Sequence, residues 1–248
     1  MNFRTIVLVS TLLAGAGAVP AHAVTNLIKN GSFEAAGTTG TGAFTNWTKT
    51  NVPSNDPASV IVYNSTAGYP TSAFGEAVPP ANVATASPDA VGNYAGYFVG
   101  DFSNNETISQ LTYLKEGNYR VGFSYYLTAN GLANPGNASF QATIIGVEVA
   151  STDITGSSPG QVWMYASGVG QITKAGWYDT AFVFNSNLAP SKDIVIDQVF
   201  AVATTDPADV IIPPTPSFVP EPATWGMLML GFGMVGAASR RRIKTVAA

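Results

Sequence analysis

The chain has 248 residues, 46% of them hydrophobic and only 10% charged, with 15 acidic side chains, 11 basic ones and no cysteine. Setting aside Arg4 and the terminal Arg240, Arg241, Arg242 and Lys244, 6 Lys and Arg face 15 Asp and Glu, a balance of about −9 that makes a poor partner for nucleic acid or anionic lipid. Without cysteine no disulfide braces the fold, so a core, with or without a metal, must hold it.

Residues 1–23 read as a secretory signal peptide. Arg4 supplies a positive start and Ile6 to Ala18 form an apolar run that Pro20 breaks. Ala21-His22-Ala23 then places small residues where a signal peptidase reads them, leaving Val24 as the first exported residue. His22 is the only histidine and leaves with the leader. The exported protein then has neither Cys nor His, which removes Ser-His-Asp and Cys-His catalysis and argues against zinc, copper or haem.

Residues 24–203 are expected to form one all-β domain. No long stretch carries a 3.6-residue apolar period. Short runs of β-branched and aromatic residues recur instead, divided by Gly, Pro, Asn, Asp and Ser. Tyr119, Val121, Phe123, Tyr125 and Leu127 alternate with Arg120, Gly122, Ser124 and Tyr126 after a turn at Lys115 to Asn118. Phe140, Ala142 and Ile144 alternate next, with Gly146 expected to mark a bulge before Val147 and Val149. Trp177 to Asn185 and Asp193 to Val202 are two further strands, and residues 26–34, 43–49, 59–63, 94–99, 106–114 and 161–173 supply shorter ones. Residues 64–92, rich in Pro, Gly, Ala and Ser, read as a long loop. Nine or ten strands in one domain imply two packed sheets, a sandwich or jelly roll. That sandwich would be flanked by an N-terminal signal helix and a C-terminal transmembrane helix.

Residues 204–219 form a linker in which Pro207, Pro213, Pro214 and Pro216 favour an extended spacer. The tail, residues 220–244, has three parts in order. Pro220-Glu221-Pro222 is stiff and acidic, residues 222–239 carry no charge, and Arg240, Arg241, Arg242 and Lys244 follow. Eighteen uncharged residues as a helix span about 27 Å, enough to cross a hydrocarbon core, so 223–239 is the expected transmembrane segment. The basic cluster would stay cytoplasmic and the body outside, with Trp225 at the outer headgroup boundary. The prolines keep the preceding peptide extended and open to a processing enzyme.

The Pro-Glu-Pro tripeptide, Trp225, the Gly231-Phe232-Gly233 run and the arginine cluster resemble the PEP-CTERM sorting signal of Gram-negative bacteria. That resemblance implies an exosortase-like membrane protease-transpeptidase that reads the Pro-Glu-Pro region and releases or re-attaches the body. It implies an inner-membrane-anchored precursor bound for the cell surface, outer envelope or extracellular matrix. Asn26 to Glu34 (NLIKNGSFE), followed by Trp47, resemble the opening of galactose-binding-like jelly rolls, a group that includes many carbohydrate-binding modules. Ile196-Asp197-Gln198-Val199 resembles their last strand.

The second resemblance implies a structural calcium held by Glu34 and Asp197 with backbone carbonyls, and oxygen donors suit that ion. The alternative makes Glu34 a solvated strand end and Asp197 a hydrogen-bonded edge residue. Aromatic rings are the other candidate chemistry, because sugars stack their C–H faces on rings while their hydroxyls need polar partners. Tyr69, Tyr94 and Tyr97 lie near loops rich in Asn and Asp and are the candidate ligand residues. Aromatics also fill cores, and Trp47 and Trp177 are read as core. A glycosidase needs only two carboxylates, and Asp89, Asp101, Glu106, Glu148, Asp153 and Asp179 are available, but no pattern pairs any two. The expectation is an exported, non-enzymatic polysaccharide-binding module, its partner an exopolysaccharide. The alternatives are a structural or adhesive matrix protein and a carbohydrate-active hydrolase.

Overall fold

The computed structural model describes residues 24–186 and 190–205. The signal peptide, the sorting tail and all but the first two linker residues lie outside them. In chain order the strands are β1 (Thr48–Thr50), β2 (Ser59–Val62), β3 (Tyr94–Phe98), β4 (Glu106–Leu114), β5 (Gly117–Tyr126), β6 (Ala138–Ile144), β7 (Val147–Ile154), β8 (Trp163–Ile172), β9 (Gly176–Ser186) and β10 (Ile194–Thr204). One short helix, α1 (Ala129–Ala133), starts at Thr128, whose hydroxyl accepts from the Gly131 amide at 3.0 Å.

The strands form two five-stranded antiparallel sheets, ordered β2-β3-β10-β5-β8 and β1-β4-β9-β6-β7, packed as a sandwich. Phenylalanines fill the space between them. Phe140 meets Phe123 at 4.9 Å and Phe98 at 5.2 Å between ring centroids, both edge to face. Trp47 belongs to this core as expected, stacked on Phe33 and edge-on to Phe182. In β4 the residues from Glu106 to Leu114 alternate between this core and the open outer face of their sheet.

The other sheet has no open face at its centre. Nine consecutive residues of β10 are buried, Ile194 to Val202, because the segment 63–93 folds over the outside and makes a second apolar layer. Ile61, Tyr63, Val78, Tyr97, Tyr126 and Trp163 build that layer, and the Trp163 indole donates to Pro79 O at 2.8 Å. The expected loop over 64–92 is therefore a loop that supplies core.

Two local expectations are corrected. The residues after Asn26 make no strand: Asn30 and Phe33 take positive φ, and a 3-10 turn runs over Glu34–Ala36. The segment meets β10 through the Leu27 amide on Ala201 O and the Val199 amide on Gly31 O, both at 2.9 Å, and Gly31 lies so close that a Cβ would come 2.0 Å from Val199 O. Gly146 marks no bulge. Ile145 and Gly146, with φ 49 and 71, form the two-residue turn between β6 and β7. Register shifts fall instead between Ala142 and Thr143 and, in β10, between Asp197 and Phe200.

β10 and β4 both start at one end of the sandwich, here called upper, where the Ala58 amide before β2 donates to Glu106 Oε1 at 2.7 Å. Both end at the lower end, where Thr204 pairs with Asn118 and Gly117 with Ile172.

Candidate functional site: an upper rim of rings and carboxylates

At the upper end Tyr69 and Phe74 project from the covering segment. Their rings stack 5.2 Å apart with planes 19° from parallel, and Phe74 also meets Tyr97 edge-on at 6.2 Å. The Tyr69 hydroxyl donates to Pro57 O at 2.5 Å, which ties the segment to the start of β2. Phe74 is 43% exposed and takes φ 49, so the turn Ala73 to Glu76 holds its ring outward above the buried Tyr97. Phe102, on the turn before β4, is also exposed.

Carboxylates border these rings. Tyr97 O–H donates to Asp193 Oδ2 at 2.5 Å, and the Gly100 amide donates to Asp193 Oδ1 at 2.8 Å. Burial raises Asp193 to about 6 despite those two hydrogen bonds, with Asp101 and Asp56 adding like charge. Asp101 is raised by burial and by Asp56, and its buried Oδ1 has no hydrogen-bond partner. An exposed ring bordered by carboxylates has the two elements a sugar needs, an apolar face and hydroxyl acceptors, although the Asp101 Oδ1 itself is buried out of a ligand's reach.

The three expected tyrosines are not one site. Tyr69 and Tyr97 share this rim, joined through Phe74, but Tyr97 is 1% exposed and supports from beneath. Tyr94 faces the opposite way. Positions 94 and 97 in one strand differ by an odd number, so Tyr94 packs toward the core between the sheets while Tyr97 packs in the outer layer. Phe74 was missed. An aromatic residue flanked by Ala73 and Gly75 within a stretch read as loop is the signal that would have found it. Of the carboxylates considered for hydrolysis, Glu106 is fully buried, its oxygens taking the Ala58 amide and the Ser103 hydroxyl, so no substrate can reach it.

Glu34 and Asp197 approach the same region of the first sheet. Glu34 Oε1 accepts the amides of Asn93 at 2.8 Å and Tyr94 at 2.7 Å, and Gly92 leaves it room, since a Cβ there would lie 2.2 Å from the Glu34 carboxyl carbon. Asp197 is fully buried, with Oδ2 accepting from Tyr63 O–H at 2.6 Å and Oδ1 from the Gln198 amide at 2.6 Å. Burial raises its carboxyl well above the usual range, and Glu34 and Asp89 add like charge. The pair offers hard oxygens of the kind calcium takes. Among the described residues no three His, Cys, Asp or Glu side chains converge as a metal site, so an ion here would complete its shell with backbone carbonyls and water.

Trp177 overturns its expected place in the core. It stands on the open face of the second sheet, 68% exposed, with its ring 5.5 Å from Tyr113. Strand alternation sends Tyr178 inward and Trp177 out.

Residues 218–242 match the PEP-CTERM protein-sorting motif, covering Pro220, Glu221, Pro222, Trp225 and Arg240 to Arg242. No curated protein matches the chain. Solved structures with similar folds include TmCBM61 in complex with β-1,4-galactotriose, at 19% identity and a TM-score of 0.43 over 73% of this chain and 99% of that one. A Stig cyclase from Fischerella sp. TAU has 15% identity and a TM-score of 0.47 over 75% of this chain and 100% of that one. The CBM22-1–GH10 modules of the Clostridium thermocellum endo-1,4-β-D-xylanase 10B, complexed with xylohexaose, have 11% identity and a TM-score of 0.38 over 65% of this chain and 26% of that one. The motif implies an exported, membrane-anchored precursor processed by an exosortase.

Proposed function

We propose that this is an envelope or extracellular-matrix protein whose body binds polysaccharide without cleaving it. The observation that carries the reading is the Tyr69–Phe74 stack, whose Phe74 ring is exposed at the upper rim, with Asp56 near Tyr69 and Asp101 near Asp56. Phe74 offers a face for one sugar ring, and Asp101 and Asp56 accept its hydroxyls. Tyr97 and Asp193 hold the floor of the rim in place. Asp193 at this rim is buried and already bonded to Tyr97 and Gly100, which leaves it unavailable to activate a water.

In this reading a signal peptidase cuts between Ala23 and Val24, the 223–239 segment spans the inner membrane, and cleavage near Pro220-Glu221-Pro222 frees or re-attaches the body. A calcium ion bridging Glu34 and Asp197 would join the first turn to the last strand and relieve their like charge. Retention of the exported protein on immobilised exopolysaccharide of its host tests the reading. Phe74→Ala should weaken retention about tenfold, the loss of roughly 1.4 kcal/mol expected for one stacking partner. Strong retention that Phe74→Ala and Asp101→Asn leave unchanged would refute this site. No retention of the unaltered protein would turn the reading to a structural or adhesive matrix protein.

A further inference from the structure

Nine large hydrophobic side chains are exposed among the described residues, and they gather at the two ends of the sandwich. Val52, Phe74, Phe102 and Val162 stand at the upper end, and Leu111, Tyr113, Ile145, Val147 and Trp177 at the lower. The lower group lies together on neighbouring strands, with Asp179 set within it. Tyr113 faces Trp177 and Leu111 faces Asp179 across β4 and β9, and the Ile145 amide donates to Asp179 O at 2.8 Å. The turn at Ile145 and Gly146 then carries Val147, 68% exposed. Behind it opens an apolar cavity of about 350 Å³ lined by Ile144, Val149, Ile172 and Tyr178 among others. Exposed Lys115 and Lys174 flank the patch, with Glu116 and Asp179 beside them.

The two ends differ in chemistry. Carboxylates lie near the rings at both ends, but only the lower patch sets exposed aliphatic side chains on its own sheet face around its Trp–Tyr pair. Asp179 stands among them, but the exposed aliphatics themselves give a sugar hydroxyl nothing to bond. They match a bilayer surface, where Trp and Tyr sit at the headgroup level with their polar atoms wet and aliphatics enter the acyl boundary. The position of the patch points the same way. β10 ends at Thr204, paired with Asn118 at this same end, so the chain leaves the body here toward its sorting motif at 218–242. Fifteen residues, 205–219, separate Thr204 from Pro220, enough chain for the body to rest on the membrane or stand away from it.

We propose that the lower end is a lipid-contacting surface. In the membrane-anchored precursor Trp177, Tyr113, Ile145 and Val147 seat the body on the bilayer. Because the exported part is acidic, the surface takes a zwitterionic interface, and apolar insertion rather than charge holds it. Seating fixes the orientation of the body on the bilayer.

The test uses the full chain carrying Trp225→Phe, reconstituted in phosphatidylcholine vesicles with and without bromine on the acyl chains. Trp47 and Trp163 are buried, so Trp177 is the indole that can report contact. Lower emission in the brominated vesicles, abolished by adding Trp177→Phe and by Ile145→Ser with Val147→Ser, is the expected result. Circular dichroism should stay unchanged across these surface variants. Equal emission in both vesicles, with Trp177 open to aqueous acrylamide, would overturn the proposal. So would acrylamide protection that rises with protein density but ignores bromine, which would assign the patch to a second copy of this chain. Neither result depends on whether the upper rim binds polysaccharide.

Discussion

Asp193 accepts the Tyr97 hydroxyl at 2.5 Å, and both residues are buried beneath the exposed Phe74 ring. The rim is thus built on a buried acid that is not fully stabilised as an anion. Burial outweighs the two hydrogen bonds and raises its pKa from 3.8 to about 6.

The raised value sets the sign of a pH effect. The folded state holds this proton more tightly than the unfolded chain, so the group favours folding most below about pH 4 and loses that contribution as pH rises through about 6. The difference is on the order of 2–3 kcal/mol. Asp197 and Glu106, also raised by burial, act with the same sign. Urea unfolding at pH 4.5 and pH 7.5 should show the protein losing stability with rising pH, and Asp193→Asn should reduce that loss. An unchanged pH slope in the variant would show that Asp193 does not titrate as described.

Backbone approach makes a second prediction. Edge strands β7 and β8 close one side of the sandwich, and a Cβ on Gly168 would lie 1.7 Å from Val149 O. Gly168→Ala must push the two sheets apart and should cost about 2 kcal/mol or more, in the range of overpacked cores. Gly42→Ala meets nothing within 4 Å and is the control. Thermal melts that leave the two variants equal would contradict the closeness of β7 and β8.

Calcium at Glu34 and Asp197 is testable without any ligand. The expected outcome is a lower melting temperature with chelator than with calcium, a difference that Glu34→Gln removes. Coincident melts of the unaltered protein in both conditions would rule the ion out and leave Asp197 held by Tyr63 and the Gln198 amide alone.

The sorting motif predicts a processed product. Mass spectrometry of the extracellular protein should find no peptide from residues 225–248, and Glu221→Ala should leave the full-length precursor in the inner membrane. An intact Trp225 segment on the extracellular protein would argue for an anchor that is never cut.

Export through a sorting motif and fold class were legible in the sequence, because both rest on local order along the chain. The sorting motif is a linear string, and strand alternation needs only the period of two that β4 and β5 display. Even the mutual exclusion of Tyr94 and Tyr97 follows from counting residues. The rest was decided by packing between distant segments. Whether an alternating strand turns Trp177 inward or outward depends on which face of its sheet is covered. The first sheet has its outer face roofed by residues 63–93, while Trp177 stands on the uncovered face of the second. That roof also brings Tyr69 and Phe74 over Tyr97 and sets Asp193 in a medium that resists its charge. Burial belongs to the assembled layers, not to any residue's neighbours in sequence. For that reason the tertiary structure alone could separate the rim proposed for a sugar from the end proposed for a membrane.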